Sequence, residues 1–276
     1  YFDLYPLDSL PPRKLDPGQG FVRHPWLQRM HNFWPTDGQL STRQRLMAVA
    51  AYFGLCTFVD HQIGKVLDTL HEVGLDQETR VIYTSDHGDN VGARGMWGKS
   101  NLYEESAGIP LIISGPDVPK GSVCRTPVTL VDSFQTVLHA TGVLPSDKDT
   151  DLPGLSWFEL AHLKDDQDRT AFSEYHAMGS PSAAYMIRKG RYKLINYVDY
   201  QSELFDLEAD PEETINLASS LAHLPARLEL EKSLLAICDP DSTDRRAKDD
   251  QNDLVEKFGG RENAFNTGTP GATPVA

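Results

Sequence analysis

Arg80-Val81-Ile82-Tyr83-Thr84-Ser85-Asp86-His87-Gly88-Asp89 opens with β-branched and aromatic residues and ends in a carboxylate, an imidazole and a glycine. The apolar part is too short for a helix and reads as a buried strand. Asp86 and His87 follow at once, and Gly88 lets the chain bend there. In open α/β sheets, ligands sit beyond the carboxyl ends of strands, so both side chains can turn into such a crevice. A carboxylate beside an imidazole suits a divalent cation. An ordinary polar loop reads equally well from these residues alone.

Upstream, Leu46, Val49, Ala50, Phe53, Val59, Ile63, Val66, Leu67 and Leu70 recur at mostly helical spacing. They predict a helix from about Ser41 to Val73, opened by Ser41-Thr42 and stopped by Gly74. Residues 1–40, with Pro6, Pro11, Pro12, Pro17, Pro25 and Pro35, read as an ordered surface loop without a helix. Downstream, residues 88–108 read as a loop, Pro110–Ser114 as a second strand, and residues 128–141 as a helix ended by Gly142. Helix, strand, loop, strand and helix together indicate an α/β layered fold. An acidic stretch with Pro and Gly at 150–168 marks a boundary. Beyond it, Thr170–Tyr175, Ala183–Arg188, Tyr192–Tyr197 and Glu203–Asp206 read as four short strands of a small antiparallel sheet. A helix at 217–237 packs on that sheet, a short helix lies near 244–258, and an irregular polar tail ends the chain. The domains expected are an α/β part over 1–165 and a small α+β subdomain over 166–276.

The 39% hydrophobic and 24% charged residues make the chain globular rather than disordered. A formal charge of −14 gives no reason to seek nucleic acid, so an anionic ligand needs a local cation. No apolar stretch of about 20 residues is evident, so no membrane span is expected. The chain starts at Tyr1 without Met, which reads as a fragment or a processed chain, and the compartment stays open between cytoplasm and periplasm. Cys56, Cys124 and Cys238 show no CxxC spacing and read as free thiols, Cys56 in a helix core.

On the loop after the Asp-His pair, Lys99 ends Gly95-Met96-Trp97-Gly98-Lys99, among small and aromatic residues. A lone Lys is usually solvated; in an oxyanion site its ammonium stabilises charge on a bound ester. Thr84–Asp89, Gly92, Gly95–Lys99, Tyr103-Glu104-Glu105 and Ile109–Ile112 then resemble the sulfatases of the alkaline phosphatase superfamily. Val59-Asp60 with Ile63-Gly64, Val131-Asp132, and Glu203–Leu207 with Asp210-Pro211, Glu213 and Asn216-Leu217 extend the resemblance along nearly the whole chain.

The resemblance implies an alkaline-phosphatase-like layered sheet, present in part, plus a C-terminal antiparallel sheet with a packed helix. It implies a sulfuric ester hydrolase in which Asp86 and His87 hold one divalent cation, Ca2+ first and Mn2+ or Mg2+ as alternatives. Lys99 would be the catalytic contact to a small-molecule sulfate ester. Arg94 stands between holding the anion and facing solvent, and His176, in a Glu-Tyr-His segment like that of choline sulfatases, would line the substrate pocket. His at position 87, as in phosphonate monoester hydrolases, keeps a phosphonate or phosphate ester hydrolase as the second reading. The family's formylglycine nucleophile comes from a Cys-x-Pro-x-Arg segment, and none of the three cysteines fits one. That segment is expected upstream of Tyr1, and this chain alone is expected to be inactive. A non-catalytic scaffold or homo-oligomer element is the reading from another class.

Overall fold

A computed structural model describes residues 1–149 and 151–266. In chain order the elements are α1 (Pro25–Phe33), α2 (Thr36–Gln39), α3 (Thr42–Glu72), β1 (Val81–Thr84), α4 (Glu104–Ala107) and β2 (Leu111–Ser114). Then come α5 (Asp132–Thr141), α6 (Trp157–Leu160), β3 (Thr170–Tyr175), β4 (Ala184–Lys189), β5 (Tyr192–Tyr197), β6 (Glu203–Asp206), α7 (Leu224–Ile237), α8 (Pro240–Lys257) and α9 (Arg261–Asn266). The end of the expected tail, residues 267–276, lies outside the described residues.

The long helix α3 starts where the sequence places it. The Ser41 hydroxyl accepts the Gln44 N–H and the Gln44 side chain accepts the Ser41 N–H at 2.8 Å, a reciprocal cap. Its only buried residues among those described are Ala50 and Gly54. Gly54 is fixed by the chain start: a Cβ there would lie 3.1 Å from the Tyr1 and Phe2 backbone. By length and composition α3 is also apolar enough to cross a membrane, against the expectation that no such stretch exists. It carries Arg43, Arg45, Asp60, Lys65 and Asp68. Its apolar side faces β1 and β2 across a groove of about 560 Å³ lined by Leu55, Cys56, Ile63, Tyr83 and Ile112. Cys56 is therefore exposed rather than core.

β1 and β2 pair antiparallel, Val81 opposite Ser114 and Thr84 opposite Leu111. β3, β4, β5 and β6 form an antiparallel meander in sequence order. Side chains alternate along a strand, so β4 sends Ala184 and Met186 to one face and Tyr185 and Ile187 to the other. The second face packs on Leu230 and Leu234 of α7. The first packs on Trp26, Leu27 and Met30 of α1 and on Met96, Leu102 and Tyr103 of the loop after β1. The core thus runs from the candidate site loop straight into the C-terminal sheet.

Residues 25–39 correct the loop expectation for 1–40. Pro25 occupies the first turn of α1, where a missing N–H costs nothing, and His24 Nδ1 accepts the Trp26 N–H at 3.3 Å. The helix pattern carried by Trp26, Leu27 and Met30 was hidden by the surrounding prolines. The 217–237 helix starts later, at Leu224 beside Pro225, after a 3-10 turn at Leu221–His223. The 244–258 helix starts earlier, at Pro240, because the Asp239 carboxylate caps it through the Ser242 N–H at 2.9 Å. Asp132 is buried, its carboxylate accepting the N–H groups of Thr129 and Leu155 at 2.9 Å and the Arg169 guanidinium at 2.6 Å.

Candidate active site

Asp86 and His87 leave the end of β1 together and face a cleft of about 750 Å³ between this loop and β3. Lys99 enters the same cleft from the following loop. The three residues that the sequence singles out are thus brought to one place.

The ring of His87 is oriented by its own backbone. Its Nδ1 lies 2.8 Å from the Gly88 carbonyl oxygen, which can only accept, so Nδ1 carries the proton. The Nε2 lone pair is left facing outward, 3.3 Å from the Asp86 carboxylate and 2.5 Å from the Lys99 ammonium. A lone pair and a carboxylate oxygen this close are the donor types that a divalent cation takes, and a backbone carbonyl that fixes the tautomer is what a ligating histidine needs. The Lys99 ammonium is the cation placed there. Asp86 is exposed, and its carboxylate accepts the His87 N–H at 3.0 Å. Desolvation pushes the Asp86 carboxyl up, but the His87 N–H, the His87 ring and Lys99 outweigh it and hold it below its usual range. The donor set fits a divalent cation in type and direction, yet it is two groups: among the described residues no cluster of three or more His, Cys, Asp or Glu gathers.

The Lys99 turn is clamped by residues that sequence reading passed over. Asn90 holds the Gly98 carbonyl with both its backbone N–H (2.7 Å) and its side-chain amide (2.5 Å). The Asp89 carboxylate accepts the N–H groups of Val91 (2.8 Å) and Gly98 (3.2 Å). Asn101 in turn donates to the Asn90 side chain at 3.0 Å. Val91 (φ 45°) and Ser100 (φ 86°) both sit in the left-handed region. A β-branched residue rarely does so, and such strain persists only where surrounding contacts over-determine it. The Asp and Asn content of 89–101 is the signal that could have shown this clamp.

Arg94 is away from the cleft. Its side chain is fully buried and ion-paired with Glu105. It also donates to the Glu212 carbonyl at 3.0 Å and lies over the Tyr103 ring at 4.0 Å. Neither solvent nor an anion in the cleft reaches it, so both sequence alternatives give way to a packing role. His176 is not among the cleft-lining residues, whereas its neighbours Glu174, Tyr175 and Ala177 are. Its Nε2 meets Glu174 at 3.1 Å and its ring stands edge-on to Tyr185. From this segment and the strand before it, Phe172, Glu174, Tyr175 and Met178 line the cleft instead.

Comparison with known proteins supplies the wider context. A family model described as sulfatase matches residues 23–143, and one described as N-sulphoglucosamine sulphohydrolase, C-terminal, matches residues 92–239. Arylsulfatase K of Mus musculus is 33% identical over 195 residues, covering 65% of this chain and 34% of that protein. Choline-sulfatase of Rhizobium meliloti (strain 1021) is 34% identical over 172 residues, covering 62% of this chain and 33% of that protein. The chain therefore spans about a third of the length of these curated relatives. Among solved structures, a phosphonate monoester hydrolase from Silicibacter pomeroyi superposes with a TM-score of 0.68 at 26% identity, over 84% of this chain and 51% of that one. A protein solved with its substrate D-glucosamine-2-N,6-O-disulfate gives 0.61 at 28% identity, over 81% of this chain and 46% of that one. These likenesses bear out the expected alkaline-phosphatase-like α/β fold. The Asp86–His87 loop, the Lys99 turn and the sheet behind them all fall inside the matched segments, and the chain belongs to the sulfatase family.

Proposed function

We propose that this chain supplies one side of the active site of a sulfuric ester hydrolase. The observation that carries the reading is the His87 tautomer, which turns an Nε2 lone pair toward the Asp86 carboxylate beside the Lys99 ammonium. Asp86 and His87 would hold one divalent cation, Ca2+ in the first instance, with further ligands from outside the described residues. When bound, that cation polarises the ester oxygens and offsets charge that develops on them. Lys99 is the residue of this chain that contacts the sulfate group and stabilises the leaving oxygen. Its ammonium is exposed to the cleft beside His87, where it would face the sulfate group of a bound ester. His87 and Asp86 then orient and hold, without donating a proton. The nucleophile, a formylglycine from a Cys-x-Pro-x-Arg segment, belongs to the longer polypeptide expected from the relatives' lengths. Small sulfate esters are the substrate class.

A phosphonate or phosphate ester is the second reading. It is favoured by the His at position 87 and by the superposition on the phosphonate monoester hydrolase. The test assays the full-length polypeptide on matched aryl sulfate, phosphate and phosphonate esters, with Asp86→Ala, His87→Ala and Lys99→Ala variants. Loss of roughly 100-fold or more in kcat/KM for Lys99→Ala is expected, the scale of one oxyanion contact. Unchanged turnover in all three variants would sink the reading and leave a non-catalytic scaffold. Dependence of the wild-type rate on Mn2+ rather than Ca2+ would revise the metal alone.

A further inference from the structure

We propose that the C-terminal sheet sets the geometry of the Asp86–His87 loop through a buried ion network, with Lys193 as the positioning residue. Lys193 lies on β5, fully buried, with its ammonium 2.8 Å from both Glu104 and Glu213. Glu213, also fully buried, takes the Glu104 backbone N–H on its other oxygen at 2.7 Å. The first residue of α4 is therefore gripped by side chain and backbone at once. The second, Glu105, is gripped by Arg94 and by Lys14, which reaches it at 2.5 Å and Glu212 at 2.6 Å.

The opposite side of α4 touches the site. The Gly88 N–H donates to the Ser106 carbonyl at 2.8 Å. A Cβ added to Gly88 would stand 2.1 Å from the Glu105 carbonyl oxygen, so this approach admits only glycine. Gly88 is also the residue whose carbonyl holds the His87 Nδ1 proton. The path is thus contiguous: Lys193 and Glu213 fix Glu104, α4 fixes Gly88, and Gly88 fixes which nitrogen of His87 faces Asp86.

Stability alone is a poor reason for such a network. Buried ion pairs are often matched or bettered by apolar residues of similar volume, and their best-attested use is fixing one arrangement among several. The network ties an element of the meander to a loop more than 80 residues upstream, where a slip of α4 would swing His87. Its functional meaning rests on the proposed role of Asp86 and His87; its structural claim concerns only the His87 ring.

The test is Lys193→Met in the 276-residue chain, read by 15N NMR of the His87 ring at a pH near 8, where imidazole is neutral. Leu234→Ala, on the far face of the same sheet, is the comparator of general destabilisation. Lys193→Met is expected to move the ring from one tautomer toward averaging and to weaken Mn2+ binding about 10-fold, the scale of outer-shell changes. Leu234→Ala is expected to leave the ring signals in place. A folded Lys193→Met chain with an unchanged His87 ring overturns the proposal, as does an equal shift in Leu234→Ala. If Lys193→Met does not fold, Glu104→Gln carries the same comparison, since it keeps shape and removes charge. A tautomer shift supports the positioning role whether or not the chain by itself binds Mn2+.

Discussion

Replacing Arg94 with methionine tests its packing role against the anion contact that the resemblance implies. The guanidinium is fully buried, pairs with Glu105, donates to the carbonyls of Glu212 (3.0 Å) and Glu213 (3.3 Å), and stacks on Tyr103 at 4.0 Å. Methionine fills much of the volume but leaves Glu105 and two carbonyls without this partner. Removing one member of a buried ion pair costs about 3–5 kcal/mol because the remaining charge is stranded. Here Lys14 still reaches Glu105 at 2.5 Å, which places the expected loss near the lower end, about 3 kcal/mol. For a domain of this size that corresponds to a fall in Tm of roughly 6–12 °C. Arg94→Lys is expected to recover little, because an ammonium cannot span the carboxylate and both carbonyls as a planar fork does. The assay is urea unfolding followed by tryptophan fluorescence, with sulfate and phosphate titrations of the folded variants alongside. A loss below about 1 kcal/mol, the range of exposed pairs, together with weakened anion binding, would refute the packing role and return Arg94 to the substrate.

Acidification is expected to loosen the same network. Burial pushes the Glu104 and Glu105 carboxyls up, but Lys193 beside the first and Arg94 beside the second hold both below the usual 4.5. Groups depressed in the folded state contribute stability above 4.5 that is lost as pH falls through their folded values. Glu213 opposes this, because burial raises it against the pull of Lys193, and its protonation relieves part of the strain. The urea midpoint should therefore fall below 4.5, and a Glu104→Gln/Glu105→Gln chain that falls equally steeply would show that other carboxylates are responsible. Gly88→Ala places a Cβ 2.1 Å from the Glu105 carbonyl and is expected to cost about 1–3 kcal/mol, as overpacking does, by thermal unfolding; a neutral result would mean that α4 is free to move. Leu55 and Ile112, each 62% exposed, line the apolar groove between α3 and β1–β2. Such patches drive association, so the chain alone is expected to self-associate in analytical ultracentrifugation, and Leu55→Glu with Ile112→Lys to reduce it; a monomeric wild-type chain contradicts this.

The fold was legible where local chemistry decides it. β3, β5 and β6 fall on the strands expected from residues 170–175, 192–197 and 203–206, because alternating apolar residues stand between turn-forming stretches such as Gly190. α3 was legible from its period and its cap. α1 was not, because Pro25 reads as a breaker until its place in a first turn is known. In the site, Asp86, His87 and Lys99 were legible as candidates because adjacent chemistry at a strand end is a local pattern. The role of Arg94 was not, since the Glu212 and Glu213 carbonyls to which it donates lie 118 and 119 residues away. Cys56 reads as core from its helix spacing, and only the uncovered groove makes it exposed.

The rigidity of the half-site then has to come from one direction. β1 and β2 are four residues each and form a two-stranded ribbon, an arrangement that is marginal by itself in water. Tyr83 and Ile112 stand exposed on its α3 side, so little packing holds the ribbon there. On the other side, Gly88 is bonded to α4, Gly98 to Asn90 and Asp89, and α4 to the fully buried side chains of Lys193, Glu213 and Arg94. A loop anchored weakly at its strand and strongly at its far end takes its coordinates from the far end. His87 is in this sense a residue of the C-terminal sheet as much as of β1, although the chain reaches that sheet only about 80 residues later.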